Sequence, residues 1–167
     1  MVTLLTMSFD ENSMCAARHA VRDEARRRGL TSERLDNFLT AVNESIGNAV
    51  EHGGGQGWLT LWWADDDLFC EVRDAGPGIP ARTLDQACLP PPSVPGGRGI
   101  WLMRRLADSA VFSTGPDGTA VLLRIGVAPP APPGCHAQRC RPGWVLNTDG
   151  ACPARHQQPP DAELGSE

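Results

Sequence analysis

Apolar positions in the first 127 residues recur with two periods. Thr3 to Phe9 predicts a strand. A helix follows from Asn12 or Ser13, with Met14, Ala17, Val21 and Ala25 on one side. It ends at Gly29, a residue suited to the left-handed helix cap. Leu35, Phe38, Leu39, Val42, Ile46, Ala49 and Val50 then fall at the spacing of one buried helical stripe. The second helix therefore runs from a cap at Thr31 or Ser32 to about His52, where Gly53-Gly54-Gly55 stops it. Trp58–Ala64 and Leu68–Asp74 predict two strands about the acidic turn Asp65-Asp66-Asp67. Residues 75–97, rich in Gly and Pro, predict an irregular stretch, and Arg98 to Ala107 a helix. Ala110–Thr114 and Thr119–Val127 predict strands joined by Gly115-Pro116-Asp117-Gly118, a strong hairpin signal. The order β-α-α-β-β-loop-α-β-β predicts an α+β two-layer sandwich, a mixed and mainly antiparallel sheet with helices on one face.

Periodicity stops at Val127. Residues 128–167 contain eight of the fifteen Pro and open on Ala128-Pro-Pro-Ala-Pro-Pro133. Such chain buries too little to offset its ordering entropy. The expected organisation is one domain over 1–127 and a Pro-rich, disordered tail over 128–167. Cys135, Cys140, Cys152 and His156 of that tail are read as incidental rather than as zinc ligands.

Composition narrows the chemistry. All fifteen basic side chains are Arg. Without Lys there is no P-loop, no eukaryotic-type protein kinase and no Schiff-base chemistry. A nucleotide phosphate would have to be neutralised by Mg²⁺, backbone N–H groups and Arg. The net charge of −5 argues against direct nucleic-acid binding. No stretch approaches the roughly 20 apolar residues of a membrane span. Met1 to Phe9 has no basic start and runs into Asp10-Glu11, unlike a signal peptide. The expected location is therefore cytoplasmic, with the six Cys as thiols.

Candidate chemistry clusters in four places. Glu44, Asn48 and His52, four residues apart, share one side of the second helix, with the small residues Ala41, Ser45 and Gly47 nearby. Something can therefore approach the helix closely there. Asp74-Ala-Gly76-Pro-Gly78 sits at a strand end, where the carboxylate can accept from an exocyclic amine and the glycines allow close approach. Gly96-Gly97-Arg98-Gly99-Ile100 feeds a helix N-terminus, a natural anion site. Between these glycine motifs, Pro80 to Pro95 is long enough to be a lid. Gly118-Thr119 opens the last strand. An ordinary solvated helix face, an Asp-Gly turn and a flexible loop are the plain alternatives for each taken alone.

The order of these motifs resembles the Bergerat-type, histidine-kinase-like ATP-binding fold, over nearly all of 1–127. Ala41 to Gly53 and Gly97 to Asp108 resemble the two boxes of the anti-sigma-factor serine/threonine kinases. That resemblance implies a role for each matching residue. Glu44 would be the general base, and Asn48 would hold Mg²⁺ through its amide oxygen. Asp74 would recognise adenine over the Gly76 and Gly78 turn. Gly97 and Gly99 would contact phosphate at the lid hinge, Thr119 would support the adenine pocket, and Arg98 would reach the phosphates. Histidine kinases usually have Asn where this chain has Glu44, and they need an upstream phosphoacceptor hairpin. Implied cofactors are ATP and Mg²⁺. The implied activity is phosphorylation of a Ser or Thr on an anti-anti-sigma partner, together with sequestration of an RNA polymerase sigma factor. Relatives often form homodimers. Two other readings stand beside it: a non-catalytic nucleotide-binding switch that acts by sequestration, and a stand-alone ATPase.

Overall fold

The computed structural model describes residues 1–85 and 98–127. The elements are β1 (Val2–Asp10), α1 (Met14–Arg27), α2 (Ser32–Glu51), β2 (Gln56–Ala64), β3 (Asp67–Arg73), α3 (Ala81–Leu84), α4 (Arg98–Leu106), β4 (Ser109–Gly115) and β5 (Gly118–Gly126). The strands form one sheet in the order β1-β2-β3-β5-β4. The mainly antiparallel expectation is met, and all four pairings are in fact antiparallel.

Strand alternation explains why the helices cover one face. Leu68, Cys70 and Val72 of β3 and Val121, Leu123 and Ile125 of β5 point inward and are buried, as are Leu59 and Leu61 of β2. Against them lies the α2 stripe of Leu35, Phe38, Leu39, Val42, Ile46 and Ala49, all buried. Ala17, Val21 and Ala25 of α1 and Ile100 and Met103 of α4 complete the core. On the outer face Trp62 stacks on its register partner Phe69, with ring centroids 5.5 Å apart and planes 3° from parallel.

The helix ends follow local chemistry. Gly29 has φ +89°, its N–H reaches Arg26 O, and Leu30 N–H reaches Ala25 O. This is a Schellman cap, with Leu30 and Ala25 buried together. The expected side-chain cap of α2 is not made by Thr31, which has extended backbone but no capping hydrogen bond. The acidic turn is shorter than its three aspartates suggest. Asp67 pairs with Ala64 inside the ladder, so only Asp65 and Asp66 turn, at φ 51° and 64°. The Asp67 carboxylate instead accepts from Arg124 at 2.7 Å. The stretch expected to be irregular contains the single turn α3. The remainder of the expected lid and the tail lie outside the described residues, as does Gly97.

Candidate functional site

Four elements converge on one cleft of about 570 Å³. The second half of α2 brings Ser45, Asn48 and Glu51, and the capping residue just after it brings His52. The end of β3 and its following turn bring Val72, Asp74, Gly78 and Ile79. The first turn of α4 contributes Arg98, Gly99 and Ile100, and β5 contributes Thr119 and Val121. Val72, Val121, Ile79 and Ile100 give it apolar walls, which suit a flat aromatic ring.

Asp74 is held in place from both sides. Its Oδ1 accepts from the N–H groups of Gly76, at 2.9 Å, and Thr119, at 3.1 Å. Its own N–H donates to Thr119 O at 2.9 Å. Oδ2 has no hydrogen-bond partner among the described residues, and Asp74 lines the cleft. The glycines here serve two purposes. Gly78, at φ +81°, needs the left-handed region. Gly76 needs space: a Cβ there would stand 2.6 Å from Gly53 Cα and 2.7 Å from His52 O. The end of α2 thus lies backbone-to-backbone against the turn.

Glu44 occupies a different position. It does not line the cleft among the described residues, but lies behind the first turn of α4. A Cβ on Gly99 would stand 2.7 Å from Glu44 Oε2 and 3.6 Å from Asn48 Nδ2. Partial burial raises the Glu44 pKa above the ordinary carboxylate value, and the Glu51 charge adds to this. Of the small residues of α2, Ser45 meets the protein's own α4, whereas a Cβ on Gly47 would meet nothing within 4 Å. Ala41 and Ser45 are buried, and the Ser45 hydroxyl donates to Met103 Sδ at 3.0 Å.

The structure therefore brings Asn48, Asp74, Gly78, Arg98, Gly99 and Thr119 to one cleft, with Glu44 and Gly76 touching its walls. Two contributors were not singled out from sequence for the site. Gly53 was read only as a helix stop, whereas its missing side chain admits Asp74. Thr114 faces Thr119 across the β4–β5 ladder, and Ile79 N–H donates to its hydroxyl at 2.7 Å. The hairpin signal fixes that register and could have revealed it.

The residues suit a nucleotide carrying its own cation. No group of three or more His, Cys, Asp or Glu among the described residues could hold a metal. Asn48 offers one neutral oxygen at the cleft, and Mg²⁺ typically takes few protein ligands and several from phosphate and water.

The sequence from 7 to 125 matches the histidine kinase-like ATPase domain family. This chain belongs to that family and, within it, to the anti-sigma factors. It is 30% identical over 104 residues to the anti-sigma F factor of Bacillus licheniformis, covering 56% of this chain and 70% of that protein. A segment of 55 residues, 33% of this chain, is 42% identical to the Streptomyces coelicolor signal transduction histidine-protein kinase AfsQ2. That match spans only 10% of the kinase. Among solved structures, part of a chain comprising the RsbU and RsbW domains of a Mycobacterium tuberculosis protein has the same fold. The match has a TM-score of 0.54 at 19% identity, over 74% of this chain and 32% of that one. No helix among the described residues is long and apolar enough to cross a membrane.

Proposed function

We propose that residues 1–127 form an ATP-dependent serine/threonine kinase domain acting as a cytoplasmic bacterial anti-sigma factor. It would phosphorylate an anti-anti-sigma protein and sequester an RNA polymerase sigma factor. The observation that carries this reading is the convergence of Asp74, Thr119, Asn48 and Arg98 on one apolar-walled cleft, with Glu44 beside Asn48 at its α4 end. The likeness to an anti-sigma F factor over 70% of that protein supports the choice of branch.

Each residue has a task that follows from its chemistry. Asp74 Oδ2 accepts from the adenine amine, while the base lies between Val72, Val121, Ile79 and Ile100. Asn48 holds the Mg²⁺ of the Mg·ATP substrate through its amide oxygen. Cleft carboxylates alone would repel a polyphosphate, so that cation and Arg98 supply the compensating charge. The N–H groups of the first α4 turn face the phosphates. Glu44 accepts the proton of the attacking Ser or Thr hydroxyl. The hydroxyl oxygen bonds to the γ-phosphorus as the bond to the β-phosphate oxygen breaks, and ADP leaves. A raised Glu44 pKa makes that carboxylate a stronger base at neutral pH.

A second reading has its own observation. Glu44 lies behind Gly99 rather than on the cleft surface, as would suit a nucleotide-binding switch that sequesters its partner without chemistry. Incubation of the full chain with labelled Mg·ATP and a candidate anti-anti-sigma protein separates the two. Stoichiometric label on a partner Ser or Thr supports the kinase. Nucleotide-dependent complex formation without label supports the switch.

A further inference from the structure

A second, more open cavity of about 540 Å³ lies beyond the proposed nucleotide cleft, lined in part by Trp58, Arg73, Ser113 and Thr114. Asp74 and Thr119 line both, so they form the wall between them. Thr114 borders only the outer cavity. Any effect it has on a ligand in the cleft must pass through other residues.

Its hydroxyl is the joint of that wall. Ile79 N–H donates to Thr114 Oγ1 at 2.7 Å, and Thr114 Oγ1 lies 3.2 Å from Thr119 Oγ1. A hydroxyl has one hydrogen and two lone pairs. Having accepted from Ile79, Thr114 can give its hydrogen to Thr119, which leaves Thr119's own hydrogen for the cleft. The packing leaves little freedom for drift. A Cβ on Gly78 would stand 2.8 Å from Thr114 Oγ1 and 2.4 Å from Gly115 O. Thr119 N–H in turn donates to the Asp74 carboxylate at 3.1 Å. One side chain thus ties the glycine turn to the strand that orients Asp74.

We propose that Thr114 is a positioning residue of the nucleotide cleft: its hydroxyl sets the Gly78–Ile79 turn and the Thr119 hydroxyl against the Asp74 carboxylate, and thereby sets selectivity for the base. This rests on the reading of the cleft as an ATP site. Valine has the same shape without the hydroxyl, and serine keeps the hydroxyl.

Calorimetric titration of the full chain with Mg·ATP and Mg·GTP, for wild type, Thr114→Val and Thr114→Ser, tests it. Thr114→Val should weaken ATP binding about 3- to 10-fold with unchanged stoichiometry. The preference for ATP over GTP should narrow, and Thr114→Ser should stay near wild type. Wild-type affinity and selectivity in Thr114→Val would overturn the proposal. So would a loss of binding sites at unchanged Kd, which marks a folding defect, or an equal loss for ATP and GTP. Should the valine variant not fold, a wild-type ATP preference in Thr114→Ala would overturn it equally, and a narrowed one would support it. If wild type binds neither nucleotide, the ATP-site reading itself fails and Thr114 loses its role with it.

Discussion

Gly53 and Asp74 meet with no room for a side chain between them: a Cβ on Gly53 would stand 2.4 Å from Asp74 Cβ and 2.5 Å from its Cγ. The absent methyl lets the end of α2, which carries Asn48, approach the carboxylate at the end of β3. Gly53→Ala should therefore affect both fold and site. Overpacking of this kind costs about 1–3 kcal/mol. Chemical denaturation should show a loss of that order, and calorimetry should show weaker Mg·ATP binding by the folded fraction. An unchanged midpoint and affinity would mean that the contact relaxes freely.

Asp74→Asn replaces a charged acceptor with a neutral amide while keeping size. Hydrogen bonds to charged groups contribute about 1.5–3 kcal/mol. ATP affinity should fall by roughly 10- to 100-fold on that scale. GTP should bind poorly to wild type, since its base presents a carbonyl where adenine presents an amine. Competitive titration of the two nucleotides measures both effects. Equal affinity for ATP and GTP, untouched by the substitution, would remove Asp74 from base recognition.

Elements with long, regular periodicity were legible in the sequence. The α2 stripe from Leu35 to Ala49 and the alternation along β5 each mark one buried face, and the Gly115–Gly118 hairpin fixes register. The polar side of α2 was legible as well, because Glu44 and Asn48 lie one turn apart. Contacts between distant segments were not. Nothing local in Gly53 says that Asp74, across the fold, will lie against it. Nor does the run Asp65-Asp66-Asp67 reveal that its third member leaves the turn to bind Arg124, since that requires the β3–β5 pairing. Small residues on α2 signalled close approach, but α4 also comes close there, with Met103 on Ser45.

Burial that raises the Glu44 pKa also has a cost in stability. The folded state holds this proton more tightly than the unfolded chain does, so stability falls as pH rises from the ordinary carboxylate value through the raised one. At neutral pH the charged Glu44 is therefore a destabilising group. Glu44→Gln should raise the melting temperature at pH 7, and the gain should vanish as the pH drops below the ordinary carboxylate value. Thermal melts of both proteins across that range test this. A gain that persists unchanged in acid would assign it to something other than the charge.

The most direct test of the kinase reading compares wild type with Glu44→Gln for both Mg·ATP affinity and single-turnover phosphoryl transfer to an anti-anti-sigma protein. Glutamine keeps the size and hydrogen-bonding capacity of the side chain but cannot take the proton. Transfer should fall about 10²–10⁴-fold, while ATP affinity changes little because Asn48 and Asp74 are intact. Transfer at the wild-type rate in Glu44→Gln, or no transfer by wild type to any partner it binds, would contradict the role of Glu44 as general base.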